Sequence, residues 1–202
     1  MFWKKPTNGG YYDSKELRRM GFASVGENSK LSKRVEIQDT SRISIGSNVR
    51  IDAFTTITTG ANGFLSIGSN IHIADRVRLL AAGGIILKDF SALAPGSCVL
   101  SSSDDYSGHN LIGPMTPKGS SGGSYGLVTF EEYSVIGAHT VVFPNVTLGE
   151  GTAVGACSLV NHSLSPWGVY FGIPAKFLKP RKKDMLKFLP KHLDEEEIDG
   201  QV

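Results

Sequence analysis

Between residues 101 and 127 this 202-residue chain leaves an otherwise regular pattern and gathers carboxylates, a phenol and an imidazole. The stretch opens Ser101-Ser102-Ser103-Asp104-Asp105-Tyr106-Ser107-Gly108-His109-Asn110 and runs on through Gly119-Ser120-Ser121-Gly122-Gly123-Ser124-Tyr125-Gly126. Imidazole is the side chain whose ordinary titration lies near neutral pH, and a neighbouring carboxylate can orient it, so this composition suits acid–base chemistry. Loops this long inside a compact repeat domain either carry function or are disordered. Three further histidines lie within the regular part. A surface or corner role outweighs a chemical one for His72 and His162, and for His139 a turn-capping role weighs at least as much.

The elements that hold this loop follow a period of six. Ile136-Gly137-Ala138-His139-Thr140-Val141 is followed by units opening at Val142, Leu148 and Val154, each with an aliphatic residue first and most with glycine second. Six is too short for a helical face and too long for simple alternation, so the unit is a short strand plus a turn. After three units Ile136-Gly137-Ala138 returns as Val154-Gly155-Ala156, which is one turn of a three-sided parallel β-helix. The rhythm starts at Val25, continues through Leu31 and Ile37, and resumes after the loop at Val128. Ile45-Gly46-Ser47-Asn48 echoes as Ile67-Gly68-Ser69-Asn70, an offset above three units that predicts a small inserted turn near Thr59–Gly63.

The ends differ from the middle. Residues 1–24 form an N-terminal segment in which Asp13 or Ser14 caps a short helix that Gly21 stops; the helix should lid the open stack of strands. Residues 25–180 form the β-helix with its insert at 101–127, and residues 181–202 are expected as a basic amphipathic helix followed by an acidic tail. A net charge of +2 with 20% charged residues provides no field for nucleic acid or an anionic membrane. No apolar run reaches spanning length and the first residues lack a signal-peptide core, so a cytoplasmic protein is expected. Cys98 and Cys157 both fall inside apolar units and are expected as small buried thiols.

The sixfold repeat, the single interrupting loop and the closing Gly172-Ile173-Pro174-Ala175-Lys176 resemble the hexapeptide-repeat acyltransferases, a family that includes galactoside and maltose acetyltransferases. The resemblance covers roughly residues 24 to 180. It implies an all-β fold: a left-handed parallel β-helix with a short N-terminal helix, one long inserted loop and a C-terminal helix. The left hand comes from the resemblance alone, because parallel crossovers are generally right-handed. Tyr11-Tyr12-Asp13-Ser14-Lys15-Glu16-Leu17 and Ser103-Asp104-Asp105-Tyr106-Ser107-Gly108 are further similar to members tied to bacterial surface polysaccharides, O-antigen or capsule. Such a protein is a homotrimer that uses acetyl-CoA as acyl donor in clefts between subunits, with a sugar or sugar nucleotide as acceptor and no metal.

In the sugar acetyltransferases the base is a histidine at the start of the loop, and that position falls here on Asp105, with His109 four residues on. Three arrangements stay open. In the preferred one His109 is the base and Asp105 orients its imidazole; in another Asp105 is itself the base; in the third the acceptor is an amine that needs less activation. By the same resemblance Ala138 and Ala156 face the pantetheine arm, and Lys176, Lys179 and Arg181 meet the adenosine end of the donor. Asp104, Tyr106 and His139 are candidates for acceptor contacts. Val135 stands where the galactoside enzymes carry a stacking tryptophan.

The leading reading is therefore an acetyl-CoA-dependent O-acetyltransferase acting on a sugar hydroxyl. An N-acetyltransferase acting on a nucleotide-linked amino sugar is the alternative within the same class. A zinc hydratase of the γ-carbonic anhydrase kind needs three converging histidines, and among the five here none forms the required close pair within one coil. A catalytically silent scaffold has no use for an interruption of its ladder at residues 101–127.

Overall fold

The computed structural model describes residues 10–113 and 115–189. Three parallel sheets form the walls of a prism, a left-handed β-helix of seven coils. The first wall contains Lys30–Ser32, Arg50–Ile51, His72–Ile73, Ala92–Leu93, Val135–Ile136, Ala153–Val154 and Gly168–Phe171, one strand from each coil. The second runs from Glu36–Gln38 to Leu159–Val160, and the third from Ser24–Val25 to Thr147–Leu148.

Each unit's leading aliphatic residue points inward and stacks on its counterpart one coil away. Leu31, Ile51, Ile73, Leu93, Ile136 and Val154 form one column in register along the first wall. Ile57, Leu79, Val99 and Val142 form another along the second, all fully buried. Each such side chain contributes on the order of 1.5–3 kcal/mol by leaving water. Repetition of the column therefore supplies the stability that a single short strand cannot.

Two of the three corners have constant length. Ile45, Ile51 and Ile57 are spaced by six, as are Leu87, Leu93 and Val99, and Phe130, Ile136 and Val142. All the length variation falls at the corner between the second and third walls. There a 3-10 turn at Thr40–Arg42 is inserted in one coil, the extra turn at residues 60–63 in the next, and the whole 101–127 loop in the fourth. The inserted turn expected near Thr59–Gly63 is thus found, and it lies at the same corner as the candidate site.

The lid is also as expected, with one addition. The helix Ser14–Arg19 starts on a capping box in which Asp13 accepts from the Glu16 amide and Glu16 accepts from the Asp13 amide. Its Leu17 is buried over the first coil. The addition is a strand, Tyr11–Tyr12, which pairs antiparallel with Lys30–Ser32 and closes that edge of the wall.

The other end departs from expectation. Lys176–Pro180 is a strand that folds back antiparallel on Gly168–Phe171, and the expected basic helix is reduced to a 3-10 turn at Asp184–Phe188. The expected acidic tail lies outside the described residues. Cys157 is another correction: it occupies an exposed corner with φ of 56°, while Cys98 is half-buried on the second wall.

Candidate active site

The insert is a hairpin. Ser102–Asp104 pairs antiparallel with Gly123–Tyr125, so the loop leaves the prism as a two-stranded arm. Its root is fixed by Ser101, which is fully buried. The Ser101 amide and hydroxyl both donate to the Leu80 carbonyl at 2.9 Å, and its own carbonyl accepts from the Gly126 amide at 2.9 Å. The Gly83 amide donates to its hydroxyl at 2.8 Å. Gly83 permits this closeness, because a Cβ there would lie 2.2 Å from the Ser101 carbonyl oxygen.

Asp105 directly follows the first strand of the arm and accepts four hydrogen bonds. The Ser107 amide and hydroxyl donate to Oδ1 at 2.7 and 2.5 Å, and the Asn110 amide and side chain both donate to Oδ2 at 2.9 Å. These donors, Ser107 first and Asn110 second, hold its pKa at about 2. Asp105 is accordingly a fixed carboxylate at neutral pH, and an unsuitable base. The alternative with Asp105 as proton acceptor calls for a raised pKa, and these donors act in the opposite direction.

His109 belongs to the same cluster but does not touch Asp105. Its Nδ1 lies 2.6 Å from the Ser107 hydroxyl, and the hydroxyl in turn reaches the carboxylate. Asp105, expected to orient the His109 imidazole, is joined to it through Ser107 and not by direct contact. The sequence carried a signal for this. In Asp-x-Ser the residue two positions on can turn its amide and hydroxyl back onto the carboxylate, and the histidine two further on meets the serine hydroxyl. These residues line an open cleft of about 510 Å³ together with Asp104, Tyr106, Gly123 and Ser124. Tyr106 is 80% exposed and projects its phenol from the rim.

The donor-side candidates lie elsewhere. Ala138 and Ala156 occupy equivalent positions of the corner between the first and second walls, where the Cys157 amide donates to the Ala138 carbonyl at 2.8 Å. His139 follows at the left-handed position of that corner and is exposed. Within one chain the second wall stands between this corner and the arm. Lys176 and Lys179 are exposed on the terminal strand.

Arg181 has a different occupation from the one expected. Its guanidinium Nη1 donates to the carbonyls of Tyr133 at 2.7 Å and Gly151 at 3.1 Å, which ties the terminal segment to the corner where Phe90, Tyr133 and Trp167 stack. Val135, in place of a tryptophan, lines an apolar groove with Phe90, Tyr133 and Phe188. Among the described residues no group of three or more His, Cys, Asp and Glu side chains gathers as a metal site.

A prism of sixfold coils, broken once by an arm that carries acid–base groups into an open cleft, is the architecture of the β-helix acyltransferases. No protein-family model matches the sequence. The chain is 36% identical over 177 residues to a dTDP-4-amino-4,6-dideoxy-D-glucose acyltransferase of Escherichia coli, covering 88% of this chain and 92% of that protein. It superposes with a TM-score of 0.83 on AntD, an N-acyltransferase from Bacillus cereus in complex with dTDP and 3-hydroxybutyryl-CoA, at 39% identity over 89% of this chain and 94% of the other. It is also 26% identical over 159 residues to the galactoside O-acetyltransferase of Escherichia coli, covering 78% of this chain and 64% of that protein. The chain belongs to the hexapeptide-repeat acyltransferase family. Of the two acceptors the sequence left open, the two relatives of higher identity favour the amine over the hydroxyl that was placed first.

Proposed function

We propose that the protein transfers an acyl group from a coenzyme A thioester to the amino group of a nucleotide-linked amino sugar. The observation that carries this reading is the match to an amino-sugar acyltransferase along 88% of the chain. In the reaction the amine nitrogen bonds to the thioester carbonyl carbon and gives up a proton to His109. The C–S bond then breaks, and the same proton passes to the leaving thiolate. An amine needs less activation than a hydroxyl, which suits an imidazole held in an open cleft. Asp104 and Tyr106 meet the acceptor at the rim.

The site is assigned to a homotrimer. The arm of one copy and the corner with Ala138, His139 and Ala156 lie on different edges of the prism, so a cleft that uses both takes them from two copies. The small side chains at that corner leave a slot for the pantetheine arm, and Lys176 and Lys179 face the donor phosphates. Among the described residues no helix is long and apolar enough to cross a membrane. We place the reaction in the cytoplasm, ahead of the glycosyl transfer that would deliver the acylated sugar to a surface polysaccharide.

The test is an acceptor comparison. Purified protein with acetyl-CoA is offered dTDP-4-amino-4,6-dideoxyglucose and, separately, a galactoside, and release of the free thiol is followed. Thiol release with the amino sugar at least a hundredfold above that with the galactoside, with an amide product by mass spectrometry, is the expected result. Faster ester formation on the galactoside restores the hydroxyl reading. Sedimentation at a trimer mass tests the assembly, and a monomer at micromolar concentration overturns it.

A further inference from the structure

We propose that Ser107 is a positioning residue that sets which nitrogen of His109 is free to accept a proton. The inference rests on His109 being the base. Ser107 Oγ lies 2.5 Å from Asp105 Oδ1 and 2.6 Å from His109 Nδ1, and a hydroxyl has one proton to give. Were that proton directed at the imidazole, two acceptor oxygens would face each other at 2.5 Å with nothing between them. An ionised carboxylate has no hydrogen to give, whereas the imidazole can donate to Oγ, so both contacts are hydrogen bonds only when the hydroxyl donates to Asp105. Oγ then presents only lone pairs to the ring, and Nδ1 must carry the hydrogen. Nε2 is left unprotonated in the neutral ring, and it is the nitrogen that gains and loses the transferred proton. The same assignment holds for the charged ring, because Nδ1 keeps its hydrogen in both forms.

Distant parts of the arm support the arrangement. The Asn110 side chain that holds Oδ2 is backed by Gly122, where a Cβ would lie 2.4 Å from Asn110 Nδ2. Asp105 cannot swing away toward solvent without breaking bonds on both oxygens. The carboxylate therefore acts on the histidine at one remove, and Ser107 transmits its orientation. No other hydroxyl among the described residues bonds to His109.

Two readouts test this, one independent of turnover. In ¹⁵N-labelled protein the His109 ring should show the Nδ1–H tautomer, and Ser107→Ala should shift the mixture toward Nε2–H, the commoner form of a free histidine side chain. In thiol-release assays with acetyl-CoA and dTDP-4-amino-4,6-dideoxyglucose, Ser107→Ala should lower kcat about tenfold or more with KM for acetyl-CoA unchanged, and Ser107→Thr should recover most of it. An unchanged tautomer and kcat within twofold of wild type in Ser107→Ala, beside an inactive His109→Ala, overturns the role of Ser107 and leaves His109 as base. Full activity in His109→Ala overturns the underlying reading, and the catalytic role of Ser107 falls with it.

Discussion

The imidazole of His139 lies over the α-carbon of Gly96, its neighbour one coil earlier, so closely that a Cβ on Gly96 would come within 2.5 Å of the ring. Both residues are at left-handed corner positions, with φ of 70° for Gly96 and 57° for His139, and the His139 amide donates to the Pro95 carbonyl at 3.0 Å. A Gly96→Ala substitution has two separable effects. The left-handed backbone costs an alanine about 1–2 kcal/mol, seen as a lower Tm. The methyl group also drives the imidazole off its corner. If His139 contributes to the acceptor side of the cleft, kcat/KM for the amino sugar falls while the affinity for coenzyme A is retained. A variant with normal kinetics and reduced Tm makes His139 a corner residue only.

Asp105 provides a sharper test of the arm. Asparagine in its place brings an amide nitrogen that cannot accept from Asn110 or Ser107, so the turn opens and Ser107 loses its anchor. Asp105→Asn is expected to lower turnover at least tenfold, with little change in Tm because the cluster is exposed at the tip of the arm. Gly122→Ala should behave in the same way by displacing the Asn110 side chain. The pKa of Asp105, at about 2, lies far below the working range, so its titration contributes nothing to the pH profile above about pH 4. Loss of wild-type activity on acidification must then be traced to another group.

The prism was legible because its strongest signal is local. Ile136 and Val142, or Ile45, Ile51 and Ile57, show the six-residue spacing of the two constant corners, and each inward aliphatic residue repeats the same burial demand. The third corner hides its geometry, since a coil there tolerates the Thr40–Arg42 turn or a 27-residue arm without disturbing the columns beside it. The arm's strands, Ser102–Asp104 and Gly123–Tyr125, are polar on both faces and carry no alternation to detect. The types of the site residues were visible, but the only sign of their connectivity was the Asp-x-Ser spacing at residues 105–107, a pattern common in ordinary loops. Asp105 and His109 looked like partners because charge and imidazole attract attention, whereas the hydroxyl between them resembles any loop serine. At the C-terminus, the run of Arg and Lys suggested a solvated helix face, and nothing local revealed that Arg181 would find three backbone carbonyls on two earlier coils.

The first coils hold a charged network whose acid response can be predicted. Asp52 accepts from the Tyr11 hydroxyl at 2.6 Å and Arg50 Nε at 2.7 Å, and pairs with His72 Nε2 at 2.8 Å. Burial works to raise its pKa, but the bonds from Tyr11, His72 and Arg50 together outweigh it and hold the carboxyl below its usual value. A depressed carboxylate stabilises the fold fully above its unfolded pKa, near 4, and the contribution is lost as pH falls through the lower folded value. Tm from this source should be flat between about pH 5 and 8 and decline below about pH 4. Asp52→Asn should lower the neutral Tm by an amount equivalent to about 1–2 kcal/mol, after allowance for solvent screening, and flatten the acid decline. A decline of equal steepness in the variant places the acid sensitivity elsewhere.

Arg181 separates a structural from a donor-binding role. Its Nη1 hydrogen bonds close over the carbonyls of Tyr133 and Gly151, and Nη2 faces Met185 Sδ at 3.7 Å. The same corner carries the Phe90–Tyr133–Trp167 stack, with Lys183 Nζ 4.6 Å from the Trp167 ring centroid. Arg181→Ala removes a charged donor from carbonyls that have few other partners, at a cost of about 1–3 kcal/mol, and frees the strand Lys176–Pro180 from its far end. Lysine can restore the charge but not the forked geometry, so Arg181→Lys should recover only part of the loss. The expected pattern is a drop in Tm with the Kd for coenzyme A changed less than threefold, whereas Lys176→Ala and Lys179→Ala should weaken coenzyme A binding and leave Tm alone. A tenfold rise in Kd for Arg181→Lys at unchanged Tm would return this guanidinium to the donor phosphates and make its carbonyl contacts incidental.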